Sequence, residues 1–303
     1  MSESQTTKQD VYTRITAQII ESLERGVKPW TQPWNAAHAA GHVSRPLRHT
    51  GEPYSGINVL TLWASAMGAN RSAPIWMTFK QALALGGHVR KGEKGAPVVY
   101  ASTMQRTEVD EATGSEAERN IPFLKAYTVF NVEQIEGLPG HFYAPAEPKR
   151  NADERMTDAE AFFAATRADI RHGGDSAYYS PALDYIQMPP FESFRDAQAY
   201  YATLSHEATH WTRHTSRLDR DLGRKRFGDD GYAREELVAE LGAAFLCADL
   251  GLRLEDREDH AAYIGHWLTV LKDDKRAVFT AAAHAQRAAE YLAAFGKRIE
   301  AAA

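Results

Sequence analysis

The chain has 303 residues, of which 44% are hydrophobic and 25% are charged, and its formal net charge is −5. These values are typical of a globular protein, and the length predicts two domains rather than one. The single cysteine, Cys247, excludes an intrachain disulfide and a cysteine-rich metal site.

The N-terminal sequence lacks the basic start and the unbroken apolar segment of a signal peptide. No apolar run approaches the roughly 18 residues that a membrane-spanning helix needs. A single cysteine also suits a reducing compartment. We therefore expect a cytoplasmic protein that has no membrane partner.

The first half of the chain is predicted to contain both helices and strands. Apolar residues recur at helical spacing between residues 10 and 25, where Gly26 ends the segment. Two short helices are predicted at 57–69 and 78–87, and two strands of one sheet at 96–103 and 124–135. The polar, acidic segment between these strands is expected to form the exposed tip of a hairpin.

The second half is predicted to be mostly helical, with a small edge sheet. Residues 144–155 have the composition of a linker, so we place one α+β domain at 1–148 and a second domain at 149–303. A capping box formed by Thr157 and Glu160 predicts that a helix begins at Thr157. The sequence therefore predicts the α+β fold class.

Residues 205–210, "SHEATH", carry the clearest chemical motif of the chain. Histidines four residues apart lie on the same face of a helix, so His206 and His210 can reach one metal ion. Glu207 is then placed to act as general base toward a water molecule at that ion. The alternative is that the two histidines lie on the surface of an amphipathic helix.

A third ligand is predicted on a later apolar helix, where Glu236 and Glu240 lie one turn apart. A carboxylate among packed helices is costly unless it is paired or binds a metal. The pair resembles the second motif of glutamate zincins, so we predict Glu236 as ligand and Glu240 as support for a ligand histidine. The spacing also allows these two roles to be exchanged, and Glu235 is expected to face solvent.

Two imidazoles and one carboxylate suit Zn²⁺, with Mn²⁺ or another divalent ion as the alternative.

The region between Gly26 and Lys94 carries eight basic residues against two acidic ones. Aromatic residues are interleaved with these charges, and this combination is what binding of single-stranded nucleic acid requires. The alternative is that half of the aromatic side chains form the hydrophobic core. The predicted DNA contacts are Arg45, Tyr54, Asn58, Trp76, Phe79, Lys80, Arg90, Lys91, Lys94 and Tyr127.

Several long blocks of the sequence resemble the ArdC-type antirestriction proteins, whose N-terminal module also opens TraC-type primases. The blocks are "YSGINVLTLW", "WMTFKQALALGGHVRKGEKGAPVVY", "YTVFNVEQIEGLP", "YYATLSHEATHWTRHTSRLDRD" and "YAREELVAELGAAFL". The resemblance implies a single-stranded-DNA-binding N-terminal domain and a C-terminal zincin-like metallopeptidase domain. It implies His206, His210 and Glu236 as metal ligands and Glu207 as the catalytic residue.

The resemblance also implies a protein of a mobile element that protects incoming DNA from host restriction during conjugation. Its expected partners are single-stranded DNA and a host restriction enzyme or another protein substrate. Two functions stay open at this point. One is a DNA-binding module joined to a zinc-dependent peptidase, and the other is a non-catalytic DNA-binding protein whose metal site is structural or vestigial.

Overall fold

The computed structural model describes residues 10–30, 44–109, 116–143, 152–223, 229–254 and 260–300. The described N-terminal elements alternate between helices and strands. They are α1 (Val11–Glu24), β1 (Leu47–Arg48), α2 (Ile57–Gly68), β2 (Ile75–Thr78), α3 (Phe79–Ala84), β3 (His88–Val89), β4 (Ala96–Val109), β5 (Glu116–Asn131) and β6 (Ile135–Glu136).

The described C-terminal elements are mostly helical and confirm the predicted α+β class. They are α4 (Ala152–Thr166), β7 (Ile170–His172), β8 (Tyr178–Ser180), β9 (Tyr185–Met188), α5 (Ala197–Trp211), α6 (Asp230–Leu250), α7 (His260–Asp273) and α8 (Ala277–Glu300). None of the described helices is long and apolar enough to cross a lipid bilayer.

The strands of the described residues form three sheets. The largest has the order β1-β2-β5-β4, in which β1 is parallel to β2 and the other neighbours are antiparallel. Strands β3 and β6 pair with each other, and the C-terminal sheet has the order β7-β9-β8. In that sheet, β8 lies at an edge and pairs antiparallel with β9.

The large sheet is covered on both faces at its base. On one face Trp76 and Val129 pack into the main hydrophobic core, beside α2. On the other face Met77 packs with Ala82 and Ile135 in a second, smaller core. Beyond this base, β4 and β5 continue together as a two-stranded ribbon up to Val109 and Glu116.

The main core extends from the N-terminal half into the C-terminal half. The rings of Trp63 on α2 and Phe245 on α6 lie 6.1 Å apart, and Trp30 meets Trp267 edge to face at 5.7 Å. The predicted domain boundary between residues 148 and 149 lies outside the described residues.

Three of the predicted elements need correction. Helix α4 begins at Ala152, because the helix-forming residues before Thr157 extend it upstream, and the capping-box prediction is therefore wrong. The two long strands extend further into the acidic segment than predicted, and the tip itself, 110–115, lies outside the described residues. Strand β5 ends at Asn131, whose side chain caps a short 3-10 turn before β6.

Candidate metal centre

Helix α5 carries the histidine motif and is buried on nearly all sides. Its N-terminus is capped by Asp196, whose side chain accepts a hydrogen bond from the backbone of Ala199 at 2.9 Å. The relative exposure of His206 is 5% and that of His210 is 9%. The surface-histidine alternative is therefore excluded.

Three side chains from two helices meet at one point. The Nε2 atom of His206 lies 3.5 Å from Oε2 of Glu236, and Nε2 of His210 lies 3.5 Å from Oε1 of the same carboxylate. One ligand atom from each of the three residues lies within 4.8 Å of the other two. Such a cluster could hold one metal ion, because two imidazoles and a carboxylate are common zinc donors.

A second carboxylate lies behind each histidine. The Nδ1 atom of His206 is 3.4 Å from Oε1 of Glu240, and Nδ1 of His210 is 3.1 Å from Oε1 of Glu235. Each imidazole therefore faces Glu236 with Nε2 and another glutamate with Nδ1. This arrangement fixes the orientation of both rings.

The prediction that Glu235 faces solvent is wrong, because its side chain is only 2% exposed. Its carboxylate is held by Arg220, which donates from Nε to Oε2 at 2.9 Å and from Nη2 to Oε1 at 2.8 Å. Sequence reasoning missed both residues. The available signal was that α6 carries two consecutive acids just before a long apolar run, where buried carboxylates need partners.

The electrostatics of the cluster favour a bound cation. Burial alone would lower the pKa of His210, but the carboxylates of Glu236 and Glu235 outweigh burial and raise it well above its usual range. Burial would likewise raise the pKa of Glu236, yet His210 and His206 hold it well below its usual range. A divalent ion would take the place of the proton on His210.

Helices α5 and α6 approach each other closely beside the cluster. A Cβ atom added at Gly242 would lie 2.4 Å from Cγ2 of Thr209 and 2.5 Å from its Oγ1. Thr209 is fully buried and its hydroxyl donates to the backbone oxygen of Ser205. Glycine at 242 therefore permits the helix spacing that brings Glu236 and Glu240 to the histidines.

Tyr232 is a further residue beside the cluster, one turn before Glu236 on α6. Its hydroxyl lies 2.8 Å from that of Tyr263. Burial, together with hydrogen bonds to Tyr263 and Glu236, raises the pKa of Tyr232 far above its usual range. The phenol therefore stays neutral and can donate a hydrogen bond to the Glu236 carboxylate.

Four of the ten predicted DNA contacts are instead buried or hydrogen-bonded within the protein. The guanidinium of Arg45 makes two 2.8 Å hydrogen bonds to Asp249 and is buried. Trp76 and Tyr54 are buried, Trp76 because β2 lies in the interior of the sheet. The side-chain amide of Asn58 donates a hydrogen bond to the backbone oxygen of Val99 and accepts one from the backbone nitrogen of the same residue.

The other six predicted contacts, Phe79, Lys80, Arg90, Lys91, Lys94 and Tyr127, are exposed. The charge of Arg90 is partly offset by Glu93, which lies 2.7 Å away.

The β4–β5 ribbon brings further exposed aromatic residues onto the face that carries Tyr127. Tyr100 pairs with Lys125 across the two strands, and Phe123 and Tyr127 lie two residues to either side of Lys125. All four side chains therefore point to one face. The exposed fractions of Tyr100, Phe123 and Tyr127 are 55%, 37% and 40%, and Nζ of Lys125 lies 5.3 Å from the Tyr127 ring centre. Phe123 was missed because the strand was predicted to begin at residue 124.

Two family models match separate parts of the chain. Residues 9–130 match the N-terminal domain of the anti-restriction factor ArdC, and residues 157–284 match a zincin-like metallopeptidase.

The structure is similar over almost its whole length to crystal structures of the antirestriction protein ArdC from the R388 plasmid. The metal-free form matches with a TM-score of 0.79 and 48% sequence identity, and the match covers 96% of this chain and 99% of the ArdC chain. The Mn(II)-bound form has a TM-score of 0.77 and 46% identity, with coverage of 95% and 98%.

Similar sequences occur in two further proteins. An uncharacterised protein of Sinorhizobium fredii is 45% identical over 292 residues, which cover 94% of this chain and 92% of that protein. The DNA primase TraC of Escherichia coli is 39% identical over 308 residues, which cover 96% of this chain but only 28% of the primase.

Proposed function

Because the chain belongs to the family of ArdC-type antirestriction proteins, we propose that it joins single-stranded-DNA binding to a zinc-dependent peptidase site. DNA binding is assigned to residues 1–148 and the peptidase-type site to residues 149–303. The protein would protect incoming DNA of a mobile element from host restriction during conjugation. Its protein substrate would be a host restriction enzyme or another host protein.

The observation that carries the metal proposal is the convergence of His206, His210 and Glu236. Three protein ligands leave a fourth position for water or substrate, which is the arrangement of catalytic rather than structural zinc. Zn²⁺ is the proposed ion. Mn²⁺ is the alternative, since the related ArdC of the R388 plasmid was crystallised with Mn(II).

The peptidase chemistry is assigned to one buried acid beside the ligands. When bound, the ion supplies Lewis acidity to a peptide carbonyl and to a water molecule. Glu207 takes a proton from the attacking water and then delivers it to the leaving amine. Glu240 and Glu235 hold the two imidazoles in place during both proton transfers.

Replacing Glu207 with glutamine tests whether hydrolysis underlies protection. We expect metal content to stay unchanged and hydrolysis to fall by about 10²–10⁴-fold, the usual contribution of a general base. The measurement is plasmid transfer into restricting and non-restricting recipients, alongside cleavage of the restriction enzyme. Glu192→Gln, a change of an exposed glutamate, serves as the matched control.

Loss of protection in Glu207→Gln, with metal retained, supports the peptidase. Full protection by the same variant favours the alternative, a DNA-binding protein whose metal site is structural or vestigial.

The assignment of the third ligand gives a second prediction. Glu236→Gln removes a proposed ligand, whereas Glu240→Gln alters a residue that only orients the ligand His206. The first change should weaken metal binding more, because loss of such an orienting residue typically costs about 10–100-fold in affinity. Glu236 faces both histidines at 3.5 Å, whereas Oε1 of Glu240 lies 3.4 Å from Nδ1 of His206, on the far side of that ring. A chelator titration measures both variants, and the reverse order would assign the ligand role to Glu240.

The DNA-binding proposal is supported by the aromatic face of the β4–β5 ribbon. Exposed aromatic rings offer stacking surfaces to bases of any sequence, and nearby lysines offer charge to phosphates. Tyr100, Phe123 and Tyr127 supply the rings, and Lys125 lies among them. We therefore assign the central DNA contacts to this face, with Lys80 and Lys94 as further exposed cations.

A further inference from the structure

We infer that Arg220 is a positioning residue of the metal centre, which acts on His210 through Glu235. This inference rests on the proposed metal site. Arg220 lies in the segment that follows α5, outside both helices that carry the ligands. Its four hydrogen bonds go to Glu235, Thr212 and Thr209 rather than to Glu236, so its effect on the metal passes through these neighbours.

The guanidinium of Arg220 joins the two ligand-bearing helices. On the α6 side it makes the two parallel hydrogen bonds to Glu235 described above. On the α5 side it donates to the backbone oxygen of Thr209 and to the hydroxyl of Thr212, both at 3.0 Å. The side chain is fully buried. A planar donor group with these four bonds fixes both helices at the turn that carries His210.

The contact from Glu235 determines which nitrogen of His210 faces the ion. A carboxylate held by an arginine is ionised and can only accept, so the Nδ1 atom of His210 carries the hydrogen. The proton that a metal ion would displace is therefore the one on Nε2, which points toward Glu236. Glu235 therefore selects the form of the imidazole that can bind a metal.

Arg220 is needed because two carboxylates from consecutive residues contact the same imidazole. Without the arginine, Glu235 would lose the two hydrogen bonds that hold its carboxylate against His210, and the carboxylate could turn away. This change would release the ring of His210. Arg217, another arginine of this segment, instead binds the backbone oxygen of Trp211 and the carboxylate of Asp184.

The test measures metal affinity of the full chain by competition with a chromophoric chelator, using Zn²⁺ as the probe. Arg220→Met should lower the affinity by about 10–100-fold, as loss of a supporting group does. Arg220→Lys keeps the charge but loses the paired hydrogen bonds. Its Zn²⁺ affinity should lie between that of the unmodified chain and that of Arg220→Met. Arg217→Met is the matched control, and it should bind Zn²⁺ as tightly as the unmodified chain even where its melting temperature falls.

A double-variant cycle separates positioning from a merely structural role. In a Glu235→Gln background, adding Arg220→Met should change the affinity by less than about threefold, because the residue through which Arg220 acts is already altered. This double variant also removes the uncompensated buried charge, so it stays measurable if Arg220→Met alone fails to fold.

An equal loss with and without Glu235 would overturn the inference, as would unchanged affinity in Arg220→Met. Absence of Zn²⁺ binding by the unmodified chain would instead defeat the proposed metal site itself.

Discussion

Replacing either His206 or His210 with alanine is expected to remove the bound metal. Both Nε2 atoms face the Glu236 carboxylate, and an ion that loses one of three protein ligands keeps too few donors to be held. The lost binding also lowers stability by linkage, by about 3 kcal/mol where the free metal is near 100 times its dissociation constant. Both variants should therefore melt like the chelator-treated unmodified protein.

The measurement is elemental analysis of protein purified without added metal, combined with thermal unfolding before and after chelation. His214→Ala is the matched control. His214 follows α5, and its Nδ1 contacts Ser216 rather than the cluster, so this variant should keep its metal. Unchanged metal content in both His206→Ala and His210→Ala would contradict the site.

Removing aromatic rings from the β4–β5 ribbon is expected to weaken single-stranded DNA binding strongly. Stacking contributes about 1–3 kcal/mol per base, so Phe123→Ala and Tyr127→Ala should each lower affinity by roughly tenfold or more. Lys125→Gln should instead reduce the salt dependence, by about 0.7 in the logarithmic slope for one phosphate on a single strand. Loss of rings and loss of charge thus have different signatures.

The measurement is fluorescence anisotropy of the full chain with a labelled oligonucleotide at several salt concentrations, and with its duplex for comparison. Phe191→Ala is the matched control, because Phe191 is a similarly exposed aromatic residue in the C-terminal half. Equal affinity for duplex and single strand would contradict the proposal. So would ribbon variants that bind like the unmodified chain.

The metal motif could be predicted because its geometry is local. Histidines four apart face the same way on any helix, and the acids of α6 lie in an apolar segment that makes them costly without partners. The role of Glu235 could not be predicted, because it depends on how the irregular segment after α5 brings Arg220 back against α6. The course of that segment is set by tertiary packing, which the spacing of apolar residues along the sequence does not indicate.

The exposed residues of the N-terminal half were harder to predict, because composition does not tell which aromatic residues are buried. Trp76 and Tyr127 are both aromatic, yet Trp76 lies on an inner strand and is buried, whereas Tyr127 lies on the β4–β5 pair and is exposed. Arg45 was assigned to DNA because of its charge. Its actual partner, Asp249, is 204 residues away in the chain.

The most direct test of the proposed metal centre is a crystal structure of the full chain grown with zinc, with anomalous scattering recorded at the zinc edge. We predict one strong peak at about 2.0–2.2 Å from Nε2 of His206, Nε2 of His210 and a carboxylate oxygen of Glu236. Glu240 and Glu235 should lie behind the two imidazoles, in contact with their Nδ1 atoms. A zinc ion bound by other residues would contradict the proposed metal centre. So would the absence of an anomalous peak between these three side chains in saturating zinc.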